Sequence, residues 1–279
     1  MKFGVNTLIW TAGFDAVHLP LLPKVKKMGF DGVEIARFSF DGFPAARIRA
    51  ALADEGLECT FCSALTGRTS LVSDNGRLRG EARDFLKHGI ETAAELGAGV
   101  FLGPFCAPVG LLVGRRRTAD EWNRAVEGLQ SLGETLDACN VTLAIEPLNR
   151  FETYFLNTAA DARRLCEEVE HPRVGVLFDT FHANIEEKDL GAAIRGLGPH
   201  LKHVHTCEND RGVPGTGHVE WKAVSEALRS ARYNGWTVIE SFGSNIPEIA
   251  AAACIWRDLA DSPETIAQEG LAYLKSLFG

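Results

Sequence analysis

VTLAIEP (141–147), VGVLFDT (174–180), LKHVHT (201–206) and WTVIES (236–241) are short apolar runs that each end on a polar, ligand-type side chain. Runs of this length and makeup read as strands covered on both faces. Four earlier runs have the same character: KFGVNT (2–7), GVEIA (32–36), ECTFCSA (58–64) and GVFLG (99–103). Amphipathic stretches alternate with the strands at 15–28, 43–55, 77–96, 119–139, 158–170, 186–198, 220–231 and 263–277. Gly29, Gly56, Gly97 and Gly235 stand where helices should stop, and Asp120, Thr158 and Ser262 where helices should start.

A parallel crossover needs about a dozen residues or more, so strands alternating with helices imply a parallel sheet. Eight such units close into a (β/α)8 TIM barrel, expected here as one domain over residues 1–279. An open doubly wound sheet is the runner-up. It usually carries a glycine-rich phosphate turn after its first strand, and none is present there.

The chain has 279 residues, 46% hydrophobic and 24% charged, which suits a globular enzyme with a large core. A net charge of -8 argues against a nucleic-acid partner. The one basic run, Arg115 to Arg117, reads as a solvated loop. No run approaches the ~20 apolar residues of a membrane span, and the first ten residues do not resemble a signal peptide. Seven scattered cysteines suit a reducing cytoplasm. Cys59 and Cys62 are three apart on a strand, so they face opposite ways and read as small buried residues, not a redox pair.

In such barrels the active site lies at the C-terminal ends of the strands. The last four strands bring Glu146, Asp179, His205 and Glu240 to that end. Neighbouring strands are ~4.8 Å apart, so side chains converging from four of them can surround one divalent ion. A single strand-end carboxylate is commonly a cap or a surface ion pair. Three closing apolar runs point to a metal, because buried charges must be paired or bound. Three carboxylates and an imidazole favour Mn2+, Mg2+ or Co2+, with zinc also open. His203, on the same face as His205, is the deeper of the two and reads as a supporting histidine. The loops add Glu152, His182 and Arg211; a positioned Arg and His can hold the oxygens of a polyhydroxylated substrate, while Arg211 and Glu152 each read equally as partners in a surface salt bridge. Glu186, Glu187 and Lys188 read as a solvated helix start.

In EPLNRFETYFLNT (146–158), GVLFDTFHANIEE (175–187), HTCENDRGVPGTGHVEW (205–221) and VIESF (238–242), the chain resembles the ketose 3-epimerases of the xylose-isomerase-like superfamily. The resemblance covers essentially the whole chain. It implies an isomerase that inverts carbon 3 of free 2-ketoses: D-fructose/D-allulose, D-tagatose/D-sorbose or L-ribulose/L-xylulose. It implies one divalent metal, Mn2+ foremost, on Glu146, Asp179, His205 and Glu240, with Glu146 and Glu240 also the acid–base pair. It further implies that Glu152, His182 and Arg211 hold the first substrate oxygens, that Phe242 forms an apolar wall and that Trp10 stacks on the far end of the sugar. A homodimer or homotetramer is expected, with IPEIAAAACIW (246–256) as a contact or an extra helix over the barrel. Two departures bear on the preferred sugar. Asn6 stands where the best-known members have an aromatic residue, and GPFCAPVG (103–110) lacks their tryptophan, leaving Leu102 and Phe105 as pocket candidates.

Removing the weakly acidic proton beside a ketone requires a base and charge stabilisation, and returning a proton to the opposite face inverts the centre. The competing readings are an aldose–ketose isomerase such as hydroxypyruvate isomerase, an inosose-type dehydratase and a sugar-binding protein without catalysis. A three-zinc endonuclease of this superfamily would need more strand-end histidines than these eight provide.

Overall fold

The computed structural model describes residues 1–242 and 246–278. Eight parallel strands close into a barrel in chain order: β1 (Lys2–Asn6), β2 (Gly32–Ala36), β3 (Glu58–Cys62), β4 (Val100–Gly103), β5 (Thr142–Ile145), β6 (Val174–Asp179), β7 (Leu201–His205) and β8 (Trp236–Ile239). Closure comes from β1 pairing with β8, in a register running from Lys2 with Trp236 to Val5 with Ile239. Each observed strand falls inside the apolar run that predicts it. Burial is what selects this architecture: Val5, Ile35, Phe61, Leu143, Val176, Val204 and Val238 are all fully or almost fully buried.

The outer layer is formed by α1 (Leu21–Met28), α2 (Ala45–Asp54), α3 (Gly76–Leu96), α4 (Ala119–Gln130), α5 (Gly133–Cys139), α6 (Ala159–Val169), α7 (Thr180–Glu186), α8 (Leu190–Leu197), α9 (Trp221–Ser230), α10 (Pro247–Ala253) and α11 (Pro263–Phe278). The stretch 119–139 is thus two helices. Gly29 and Gly97 end α1 and α3 with φ of +94° and +84°, the left-handed cap glycine adopts without a Cβ penalty. Gly235 is different. The left-handed residue after α9 is Arg232, and Gly235 instead lies where a Cβ would meet the Tyr233 hydroxyl at 2.5 Å.

Thr158 caps α6 by accepting from Asp161 N–H, and Ser262 accepts from Thr265 N–H. The cap of α4 is not Asp120 but Thr118, whose hydroxyl accepts from Glu121 N–H while the Glu121 carboxylate accepts from Thr118 N–H. That reciprocal pairing satisfies two backbone donors at once, which Asp120 cannot do from inside the first turn. The Arg115 to Arg117 run is also more than solvated loop. Arg115 makes a two-pronged contact with Glu121 at 2.9 Å, and Arg117 pairs with Asp161 at 2.9 Å and stacks over Trp122. Glu186 ends α7 rather than starting a helix and accepts from both the backbone and the guanidinium of Arg150, while Glu187 accepts from Ala159 N–H. Both glutamates therefore tie loops together, and Lys188 is exposed. Within the segment 246–256, Pro247–Ala253 form α10, a helix over the barrel mouth.

Candidate active site

Asp179 and His205 are the last residues of β6 and β7, and Glu146 and Glu240 each follow directly after β5 and β8. One ligand-type atom from each of the four lies within 4.8 Å of the others, and all four residues are buried. His205 Nδ1 is 3.3 Å from Glu240 Oε2, 3.7 Å from Asp179 Oδ2 and 3.8 Å from Glu146 Oε1. On its other side, His205 Nε2 is hydrogen-bonded to Glu34 Oε1 at 2.8 Å.

The loops complete the constellation. Arg211 Nη1 donates to Asp179 Oδ2 and Glu240 Oε2, both at 2.8 Å, and its guanidinium lies between the rings of Phe181 and Phe242, with centroids at 4.1 and 4.8 Å. His182 Nδ1 accepts from Asn149 N–H at 3.1 Å. Its Nε2 is 3.1 Å from Arg211 Nη2 and 3.6 Å from Glu146 Oε1. Glu152 accepts from Asn149 Nδ2 at 2.8 Å.

Burial and the neighbouring Glu240 charge push the Glu146 carboxyl well above the usual carboxylate range. Asp179 behaves in the opposite way. Burial raises it, but Arg211 and the nearby histidines outweigh that and hold it well below its ordinary value. Burial lowers the pKa of His182 and favours its neutral ring. For His205, burial is opposed by Glu240 and Glu34, and the imidazole is raised well above the usual histidine value.

Three carboxylates thus crowd together with Arg211 as the permanent cation among them. Glu146 Oε1 and His205 Nδ1 are buried there without a hydrogen-bond partner. Such atoms are costly unless something is bound. A divalent cation fits this donor set, since it takes oxygen and imidazole ligands and offsets the excess negative charge.

The cluster opens into a cavity of about 300 Å3. Glu146, Glu152, His182, Arg211, Glu240 and Phe242 line it, with Leu8, Phe38, Val109, Leu148 and Ile249 among its apolar walls. Another hollow, of about 350 Å3, lies beside Arg68, Asp120 and Tyr154. No strand-end ligand reaches it, and its Glu121 is already engaged with Arg115 and Thr118.

Four sequence candidates sit outside the cavity wall. Asn6 is fully buried and donates to Glu34 at 2.8 Å and Glu240 at 3.3 Å. Leu102 packs inside the barrel with Leu8, Ala36, Ala144 and Leu177. Phe105 stacks on Phe101 with centroids 4.6 Å apart, and Pro104 and Val109 of the same loop face the cavity instead. Trp10 is carried outward by the turn after β1 and donates its indole N–H to Glu264 at 3.2 Å.

Three contributors escape the sequence reading. Cys62 lines the cavity, while Cys59 faces the helical layer near Leu96. Glu208 is fully buried and accepts from Gly215 N–H, Val219 N–H and Trp221 Nε1–H at 2.7, 3.0 and 2.8 Å, organising the loop that carries Arg211. Glu34 is the third. Its signal was visible as a lone carboxylate inside the apolar run GVEIA.

A family model for the xylose isomerase-like TIM barrel matches residues 22–277. The "Probable ketose 3-epimerase" of Synechocystis sp. is 37% identical over 278 residues, spanning 100% of this chain and 97% of that one. A solved L-ribulose 3-epimerase superposes with a TM-score of 0.94 at 30% identity, covering 99% of this chain and 94% of the other. A D-psicose 3-epimerase solved in the presence of D-fructose gives 0.90 at 32% identity over the full length of both. The chain belongs to the xylose isomerase-like TIM barrels and, within them, to the ketose 3-epimerases, which are isomerases.

Proposed function

We propose that this protein inverts carbon 3 of free 2-ketoses, with one divalent ion held by Glu146, Asp179, His205 and Glu240. The carrying observation is the pair of buried glutamates, Glu146 and Glu240, placed directly after β5 and β8 to either side of Asp179 and His205. Mn2+ is the proposed ion, with Co2+ or Mg2+ as substitutes, because hard oxygen donors dominate the set. When bound, the ion supplies positive charge against the oxyanion that develops beside carbon 3.

One glutamate removes the carbon 3 proton and the other returns a proton on the opposite face. Glu146 is suited to holding a proton, since burial and Glu240 raise its pKa. Arg211 supplies N–H donors to the cavity, His182 a ring nitrogen and Glu152 an acceptor, a set that matches adjacent carbonyl and hydroxyl oxygens. Phe242 shields one side of the reacting carbons. Among the described lining residues Arg211 is the single Arg or Lys, and two carboxylates already occupy it, which supports an unphosphorylated sugar.

A homodimer or homotetramer working in the cytoplasm completes the reading. Exposed Leu112, Phe151 and Trp256 support association, and seven free cysteines support a reducing compartment. Among the described residues no helix is long and apolar enough to cross a membrane.

The test is incubation with D-fructose, D-tagatose and L-ribulose in heavy water with Mn2+, followed by NMR. Deuterium at carbon 3 of a new ketose is expected. Label at carbon 1 or 2, a dehydrated product, or binding without turnover would each overturn the epimerase reading.

A further inference from the structure

Asn6, Glu34 and Thr60 are direct cross-strand partners on β1, β2 and β3, and they form a polar rung inside the barrel. All three are buried, at 1% exposure or less. Asn6 Nδ2 donates to Glu34 Oε1 at 2.8 Å, and Thr60 Oγ1 donates to Glu34 Oε2 at 2.8 Å. From the opposite side of the barrel, β7 sends His205 Nε2 to within 2.8 Å of Glu34 Oε1 and His203 Nε2 to within 2.9 Å of Glu34 Oε2. One carboxylate is therefore hydrogen-bonded to three side chains from three other strands, with His203 beside it.

We infer that Glu34 is the positioning residue for His205, fixing which imidazole nitrogen faces the metal site and where it points. This rests on the metal reading given above. An imidazole that donates its Nε2 proton to a carboxylate presents a lone pair at Nδ1 once that nitrogen is deprotonated. Nδ1 is the buried nitrogen without a hydrogen-bond partner, 3.3 to 3.8 Å from Glu240, Asp179 and Glu146. The Glu34 contact also makes the ring a stronger donor to a cation. The rung itself is rigid, because strand register sets the backbone positions and Asn6 and Thr60 occupy the carboxylate from the side away from β7. Asn6 extends the same network to Glu240 Oε1 at 3.3 Å, so two of the four proposed ligands are oriented from one point. Glu34 is not among the residues lining the cavity, which separates orienting the ligand from touching the sugar.

Glu34, His203 and His205 Nε2 also group closely enough to hold an ion of their own. The donors from Asn6 and Thr60 favour the hydrogen-bonded reading, since they already use the carboxylate.

The test is isothermal titration of metal-free enzyme with Mn2+, for wild type and Glu34→Gln, with circular dichroism as the folding control. Wild type is expected to bind one ion per chain, and the folded variant to bind it about 10- to 100-fold more weakly. At saturating Mn2+ the variant should recover kcat to within several-fold, since Glu34 does not line the cavity. A folded Glu34→Gln with wild-type affinity overturns the inference, even if its Tm has dropped. Two ions per wild-type chain also overturn it. Wild type that binds no divalent ion instead removes the metal reading beneath it. Should Glu34→Gln not fold, Thr60→Val deletes one donor to the same carboxylate and touches no proposed ligand. It is expected to weaken Mn2+ at least about threefold, and unchanged affinity there overturns the inference.

Discussion

Arg211 donates to Glu240 across 2.8 Å, and this contact joins the loop after β7 to the end of β8. The same nitrogen reaches Asp179 at 2.8 Å, so one guanidinium partly neutralises two of the carboxylates in the cluster. Its backbone is held at φ +67°, a left-handed conformation that non-glycine residues adopt at a cost of order 1 kcal/mol. Ser241 Oγ–H donates to the Arg211 carbonyl and Arg211 N–H donates to the Glu208 carbonyl at 3.0 Å, which hold that conformation in place.

Removing the guanidinium has opposite effects on the two ligands. Arg211→Ala should lower kcat/KM for the sugar about 10- to 100-fold, the equivalent of one charge-assisted hydrogen bond. Mn2+ should bind the same variant at least as tightly as wild type, because two carboxylates lose a competing cation. Arg211→Lys should not restore kcat/KM, since a single ammonium cannot reproduce the planar fork. Steady-state kinetics and metal titration read the two effects separately.

Glu146→Gln and Glu240→Gln should each cost about 10^2- to 10^4-fold in turnover, the range for positioned acid–base groups, with folding intact by circular dichroism. Near wild-type activity in either variant would end the two-base scheme.

Chelation should abolish activity and lower Tm. Returning Mn2+ to about 100 times its Kd should stabilise the fold by about 2.7 kcal/mol, or roughly 4–6 °C for a chain of this size. Differential scanning calorimetry with and without metal measures it, and an unchanged Tm would count against a bound ion.

Glu208 satisfies three backbone N–H groups, those of Asn209, Gly215 and Val219, and an indole N–H in the loop that presents Arg211. Glu208→Ala strands those donors, and urea unfolding should show a loss of about 2–4 kcal/mol. Activity should fall with it, as the loop no longer fixes Arg211.

The Arg115 contact, with help from Thr118 N–H and the Tyr154 hydroxyl against the effect of partial burial, holds the Glu121 carboxyl down at about 2. A depressed carboxylate contributes stability that is fully present above its unfolded pKa near 4.5 and is lost as pH falls towards 2. Glu121→Gln should therefore lower Tm at neutral pH and flatten the dependence of Tm on pH between about 4.5 and 2.

What the amino-acid sequence determined was the periodic part of this protein. Apolar runs of strand length, separated by amphipathic stretches, are enough to define eight parallel units. Alternation then brings Glu146, Asp179, His205 and Glu240 to one end of the barrel, because the end of a strand is a local property. Tertiary structure decided everything that depends on which distant atom a side chain meets. Glu34 lies 171 residues from His205, and only closure of the barrel sets them 2.8 Å apart. Trp10 and Leu102 have the residue types of a pocket wall, yet a turn and a packed interior direct them elsewhere. Glu186 looks solvated until Arg150 folds onto it. Strand and helix patterns are written within a few residues, whereas the partners of a buried charge are set by packing across the whole barrel.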